Sequence, residues 1–170
     1  MIQSASLAPA PAPDSTYAEA PSRSAEKFVL RIPVELNQAM HGIARRHFRS
    51  YNSEVNLAVL SELEAHRRLV TMRDLLVSRL GNRVGQQVLD EITRIDGSQG
   101  PQHKSNIRFT DGLRDQLKES SSTSMRDMVA SACVNWVYYN HQIDALLARC
   151  DDPDIQFPAP HHQSSRPPVI

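Results

Sequence analysis

The chain has 170 residues, and its 19 Lys plus Arg balance its 19 Asp plus Glu, which gives a formal net charge of zero. This length allows one or two small domains, and the balanced charge does not by itself indicate a nucleic-acid-binding protein. The two cysteines are expected to be buried or idle thiols rather than a redox pair. Because no apolar run reaches membrane-spanning length and no secretion signal is visible, we expect a cytoplasmic protein without membrane contact.

Both ends of the chain lack apolar periodicity. Residues 1–25 are rich in Pro, Ala and Ser, and residues 151–170 contain several prolines, so both segments are predicted to be disordered. Arg23 is the one basic residue of the first segment. His161 and His162 stand without a third ligand nearby, so no metal site is predicted.

Residues 26–68 carry the clearest structural pattern, which is a short strand followed by two helices. Alternation over the strand places three apolar side chains on one face, namely Phe28, Leu30 and Ile32. The opposite face carries Lys27, Val29 and Arg31. Pro33 ends the strand and suits the first turn of a helix. Asn52 is predicted to cap the second helix, because its side chain can accept a hydrogen bond from an early backbone N–H group.

The strand Lys27–Pro33, followed by Arg49–Val55 with Arg-Ser-Tyr-Asn-Ser-Glu-Val, resembles the ribbon-helix-helix family of the Arc and MetJ repressors, in its Arc-like branch. The resemblance implies a mostly α-helical fold whose short antiparallel ribbon forms between two chains and enters the DNA major groove. It also implies a base-reading set, Lys27, Val29 and Arg31. The implied phosphate-binding set is Arg49, Asn52 and Ser53, at a helix N-terminus.

One departure from this family concerns the buried Arg–Glu–Arg triad of Arc. Arg49 and Glu54 match two of its members, whereas Ala58 stands at the third position. The departure puts the buried network in question and leaves the predicted fold unchanged.

Two further segments show helical or mixed patterns. Residues 69–96 have apolar residues at helical spacing and are predicted to form a helical hairpin or bent helix used for packing or oligomerisation. Residues 104–149 repeat the strand–helix–helix order, with Lys104, Asn106 and Arg108 alternating as a second candidate DNA site. We predict a second, degenerate ribbon-helix-helix copy here. The alternative is an unrelated helical domain with a short strand.

The pairing of the two strands has two solutions. Strand 28–32 could pair with the same strand of another chain, or with strand 105–109 of its own chain. Pairing within the chain would set Ser105 against an apolar layer. It would also place side by side two units whose first helices differ in length. The sequence therefore predicts a homodimer, or a tetramer held by the later helices.

No catalytic motif, cofactor site or metal-ligand spacing is present in the sequence, so a non-enzyme without cofactors is predicted. The leading hypothesis is a transcription regulator of bacterial or phage type that binds double-stranded DNA, in particular a repressor. One alternative is a DNA-shaping accessory factor, similar to the relaxosome proteins that carry two ribbon copies per chain. The other is an antitoxin-type adaptor, although residues 69–95 and 125–147 are predicted to be ordered and a toxin-binding segment usually is not.

Overall fold

The computed structural model describes residues 27–120 and 123–152, so the predicted arm at 1–25 and residues 153–170 of the predicted tail lie outside the described part. This part is mostly helical, with one two-stranded antiparallel ribbon followed by helices. The elements in chain order are β1 (Lys27–Pro33), α1 (Val34–Arg46), α2 (Tyr51–Leu63), α3 (Arg67–Leu80), α4 (Asn82–Asp90), β2 (Gln102–Arg108), α5 (Leu113–Ser120) and α6 (Met125–Cys150).

The ribbon forms between β1 and β2 of the same chain. Phe28 lies opposite Ile107, and Leu30 lies opposite Ser105. The prediction that β1 pairs with the β1 strand of another chain is therefore wrong. The polar Ser105 does not prevent pairing within the chain, because this side chain is only partly buried and lies beside the phenol of Tyr51. Burial raises the pKa of Tyr51 to about 12, and Ser105 opposes that rise.

Two asparagines of α2 explain why β2 is the partner strand. The Asn52 amide donates to the Arg108 carbonyl oxygen at 2.9 Å and accepts from the Arg108 N–H at 2.7 Å. Asn56 donates to the same carbonyl at 3.0 Å and accepts from the Thr110 N–H at 2.9 Å. Backbone groups at the C-terminal end of β2 are thus satisfied by side chains of the first strand–helix–helix unit, which links the two units within one chain.

The core lies between the inner face of the ribbon and the helices. Leu30, Ile32 and Ile107 are fully buried there, and the rings of Phe28 and Phe109 pack with centroids 5.3 Å apart. The elements β2, α5 and α6 follow in the same order as β1, α1 and α2, although α5 has 8 residues against 13 in α1.

Helices α2 and α6 also begin alike. The side chain of Ser50 accepts from the Ser53 N–H, and that of Ser124 accepts from the Asp127 N–H, each at 3.1 Å. Counted from these serines, the same positions are fully buried in both helices: Val55, Ala58 and Val59 in α2, and Val129, Ala132 and Cys133 in α6.

The hairpin of α3 and α4 carries the chain from the first unit back to β2 while packing against α6. Gly81, with a φ of +84°, lies between the two helices, where a side chain would be strained. A Cβ atom on Gly85 would lie 2.9 Å from the Cα atom of Val77, so the helices touch closely at this glycine. Residues 69–96 contain most of α3 and all of α4.

Both cysteines are free thiols, Cys133 buried and Cys150 partly buried. Burial raises the pKa of the Cys133 thiol to about 12, which keeps it protonated at neutral pH. None of the helices in the described ranges is long and apolar enough to cross a membrane.

Candidate nucleic-acid interface

The outer face of the ribbon brings the two predicted base-reading sets together. Alternation turns three residues of each strand away from the core. Opposite one another lie Lys27 and Arg108, Val29 and Asn106, and Arg31 and Lys104. All of these side chains are exposed except that of Arg108, which is partly exposed.

This face concentrates positive charge on a chain that is neutral overall. Among the described residues, no carboxylate lies within ion-pairing distance of Lys27, Arg31, Lys104 or Arg108. Several acidic residues elsewhere are neutralised locally, as in the pair of Arg46 with Asp144 at 2.7 Å. The ribbon therefore has a basic surface although the net charge of the whole chain is zero.

The N-terminus of α2 differs in detail from the prediction. Ser50, not Asn52, is the N-cap, because the Ser50 hydroxyl lies against the Ser53 N–H while the Asn52 side chain is bound to β2. The hydroxyls of Ser50 and Ser53 lie 2.8 Å apart. Arg49 precedes the helix with its side chain 46 % exposed. The Asn52 side chain is thus engaged by β2, whereas the Arg49 side chain remains largely accessible beside the helix start.

The N-terminus of α6 carries a negative charge at the corresponding place. Asp127 is exposed, and its carboxylate accepts a hydrogen bond of 2.6 Å from the Ser124 hydroxyl. The equivalent residue in α2 is the neutral Ser53. The two helix starts share one cap geometry and differ in charge.

A buried carboxylate lies behind the start of α2. The side chain of Glu54 is fully buried, and its Oε1 atom accepts a hydrogen bond of 2.9 Å from Trp136 Nε1. His47 Nδ1 lies 2.9 Å from the same oxygen. Arg49 Nη1 lies 3.8 Å from the second carboxylate oxygen of Glu54. A buried network around Glu54 is therefore present, with Trp136 and His47 in place of the triad's second arginine, whose position is held by Ala58.

Sequence reasoning missed Trp136, His47 and Asn56 as partners in this region. Trp136 and Asn56 contact residues far along the chain, so no local pattern indicates their role. The spacing of Asn52 and Asn56, one helical turn apart, is a signal in hindsight, because it places two amides on one face of α2.

His41 and His66 each pack or hydrogen-bond within the fold. His41 stacks on Tyr51 with ring centroids 4.3 Å apart, and burial together with Arg45 and His103 lowers its pKa. His66 lies between Ser61 and Glu62, at 2.9 and 2.8 Å. Within the described ranges, no group of three or more His, Cys, Asp or Glu side chains is placed to hold a metal ion.

Comparison with known proteins gives one match. Residues 22–65 match the Arc-like DNA binding domain family, over the segment that contains β1, α1 and α2. No curated protein and no solved structure matches the chain. The match supports a DNA-binding regulator in general.

Proposed function

We propose that this chain, whose residues 22–65 belong to the Arc/MetJ ribbon-helix-helix family, is a sequence-specific transcription regulator that inserts its ribbon into the DNA major groove. The observation that carries the proposal is the exposed face of the ribbon, with two lysines, two arginines, Val29 and Asn106 on adjacent strands. Regulation by occupying an operator, as a repressor does, is the simplest mode for such a protein.

The mechanism is direct readout of base edges. Arg31 and Arg108 can each donate two hydrogen bonds to the O6 and N7 atoms of a guanine, and Lys27 and Lys104 can donate to the same kind of acceptor. These four residues lie in register on one face of the ribbon. A two-stranded ribbon fits the major groove, which is about 12 Å wide.

Phosphate contacts from the start of α2 would fix the ribbon on the duplex. Arg49 and the Ser53 hydroxyl are the proposed side-chain contacts, and Asn52 would contribute its backbone N–H group. The positive end of the helix dipole favours an anion at this place. Such contacts set position and orientation, and they carry no sequence information of their own.

The second strand–helix–helix segment, within residues 104–149, is proposed to be a degenerate copy of the unit at 26–68, with 69–96 as a helical connector. Matching serine caps, matching buried positions and the repeated element order support this assignment. One chain would then supply both strands that two chains supply in Arc. Association of two chains through the later helices remains a prediction, for which the exposed Met72 and Leu75 of α3 are candidate contacts.

Arg31→Ala tests the base-reading role. We expect it to weaken binding to the preferred site by about 1–3 kcal/mol and to relax sequence preference, because a bidentate contact to guanine is lost. Fluorescence anisotropy with specific and random duplexes measures both affinities. The matched control is Arg83→Ala on α4, which removes the same charge outside the ribbon. An unchanged ratio of specific to random affinity for Arg31→Ala would show that the groove assignment is wrong.

Exchanging the residues of the two helix starts tests the phosphate contacts. Ser53→Asp should weaken binding to specific and random DNA equally, because it adds a negative charge beside a phosphate. Asp127→Ser should strengthen binding to both, since it removes such a charge from the start of α6. Titrations at several salt concentrations measure the effect. If neither change alters affinity, these helix ends do not contact the DNA backbone.

Two other functions remain for comparison. A DNA-shaping accessory factor would use the same ribbon, and the pairing of two strands in one chain favours keeping it as the second candidate. DNA bending measured on a duplex with the preferred site distinguishes it from an operator-occupying repressor. The antitoxin alternative is disfavoured, because α3 and α6 pack against each other as ordered helices.

A further inference from the structure

The ribbon has two chemically equal ends. Its register pairs Lys27 with Arg108 at one end and Arg31 with Lys104 at the other. A half-turn about the centre of the ribbon exchanges Lys27 with Lys104 and Arg31 with Arg108, so each residue is replaced by one of its own type. The outer parts of this face therefore follow two-fold symmetry, as they would in a homodimer.

The centre of the ribbon breaks this symmetry. The half-turn axis passes through the pair of Val29 and Asn106, so these two residues should be alike in a symmetric reader. Val29 is an apolar side chain that is 40 % exposed, whereas Asn106 is an exposed amide. An amide can bond the N6 and N7 atoms of adenine in a bidentate pair, while valine can offer a thymine methyl group only apolar contact.

We infer that the DNA site of this protein is symmetric in its outer base pairs but read unequally at its centre, so that the chain binds in one fixed orientation. Asn106 would specify adenine on one side of the centre, and Val29 would accept several bases on the other with a preference for thymine. This inference rests on the proposed function, because it assumes that the ribbon enters the groove.

The starts of α2 and α6 are also unequal, as the central pair of the ribbon is. The α2 start offers the neutral Ser53 to a phosphate, whereas the α6 start presents the carboxylate of Asp127. The phosphate beside α6 would therefore be held more weakly than the one beside α2. Unequal anchoring of the DNA backbone adds to the unequal central pair in favouring one orientation.

The test is selection of bound duplexes from a pool with a randomised core, using the wild-type chain, Val29→Asn and Asn106→Val. The wild-type motif should have matching outer positions and one strongly specified central adenine, with about a tenfold loss of affinity when that base is changed. Val29→Asn should specify adenine on both sides and so produce a palindrome. Asn106→Val should lose the central adenine and keep the outer positions.

The outcomes separate this inference from the proposed function. A wild-type motif that is already palindromic through its centre would overturn the inference while leaving sequence-specific binding in place. A failure of all three proteins to enrich any motif would overturn the proposed function itself. Circular dichroism of each variant checks folding, and the two substitutions change strand propensity in opposite directions, so a shared loss of structure is not expected.

Discussion

Replacing Glu54 by alanine is expected to lower the free energy of unfolding by about 3 kcal/mol. The substitution removes the acceptor of the Trp136 N–H group, and an unsatisfied buried donor costs about 1–3 kcal/mol. It also leaves a cavity where the buried methylene groups of Glu54 lay, each of which contributes about 0.8 kcal/mol of transfer free energy. His47 and Arg49 are partly exposed, so water can satisfy them after the change.

Urea denaturation measures this loss, and Glu64→Ala is the matched control. Glu64 follows α2 and is 55 % exposed, with Arg68 at 3.8 Å, so its removal should change stability by less than about 0.5 kcal/mol. Glu54→Gln keeps the size and an acceptor oxygen and should fall between the two alanine variants. Equal stability of Glu54→Ala and Glu64→Ala would contradict a structural role for the buried carboxylate.

Replacing both Asn52 and Asn56 by leucine is expected to destabilise the fold by about 4 kcal/mol, at about 2 kcal/mol for each asparagine. These amides are the partners of the Arg108 N–H, the Arg108 carbonyl and the Thr110 N–H at the C-terminal end of β2. Leucine would face those backbone groups with an apolar surface and leave them unsatisfied.

Hydrogen exchange gives this prediction a local measurement. In the double variant the amides of Arg108 and Thr110 should exchange faster relative to global unfolding, because their acceptors are gone. Asn82→Leu is the control, as Asn82 is exposed at the start of α4. If the Arg108 and Thr110 amides keep their protection, α2 does not hold this end of β2.

Much of the local structure could be predicted from the sequence, because periodicity acts over a few residues. Alternation over residues 27–33 gave the strand and its exposed face, and apolar spacing gave the helices around it. The choice of partner strand could not be obtained in this way. It depends on the amides of Asn52 and Asn56 meeting Arg108 and Thr110, which are distant in sequence.

The candidate interface was predictable to a similar extent. Alternation placed Lys27, Val29 and Arg31 together, and separately Lys104, Asn106 and Arg108, but only the register makes them one surface. The predicted capping role of Asn52 is wrong: Ser50, two positions earlier, is an equally good capping residue and is the N-cap of α2. The hydrogen bond that Glu54 accepts from Trp136 could not be predicted, because Trp136 lies on α6 and the pattern within α2 does not indicate it.

The central claim is that one chain supplies both strands of the DNA-reading ribbon. Isotope-filtered nuclear Overhauser spectroscopy on a mixture of labelled and unlabelled chains tests it most directly. We expect contacts between Phe28 and Ile107, and between the rings of Phe28 and Phe109, to appear within labelled chains alone. Contacts from Phe28 or Leu30 of a labelled chain to the strand of an unlabelled chain would contradict the claim and restore a ribbon shared between two molecules.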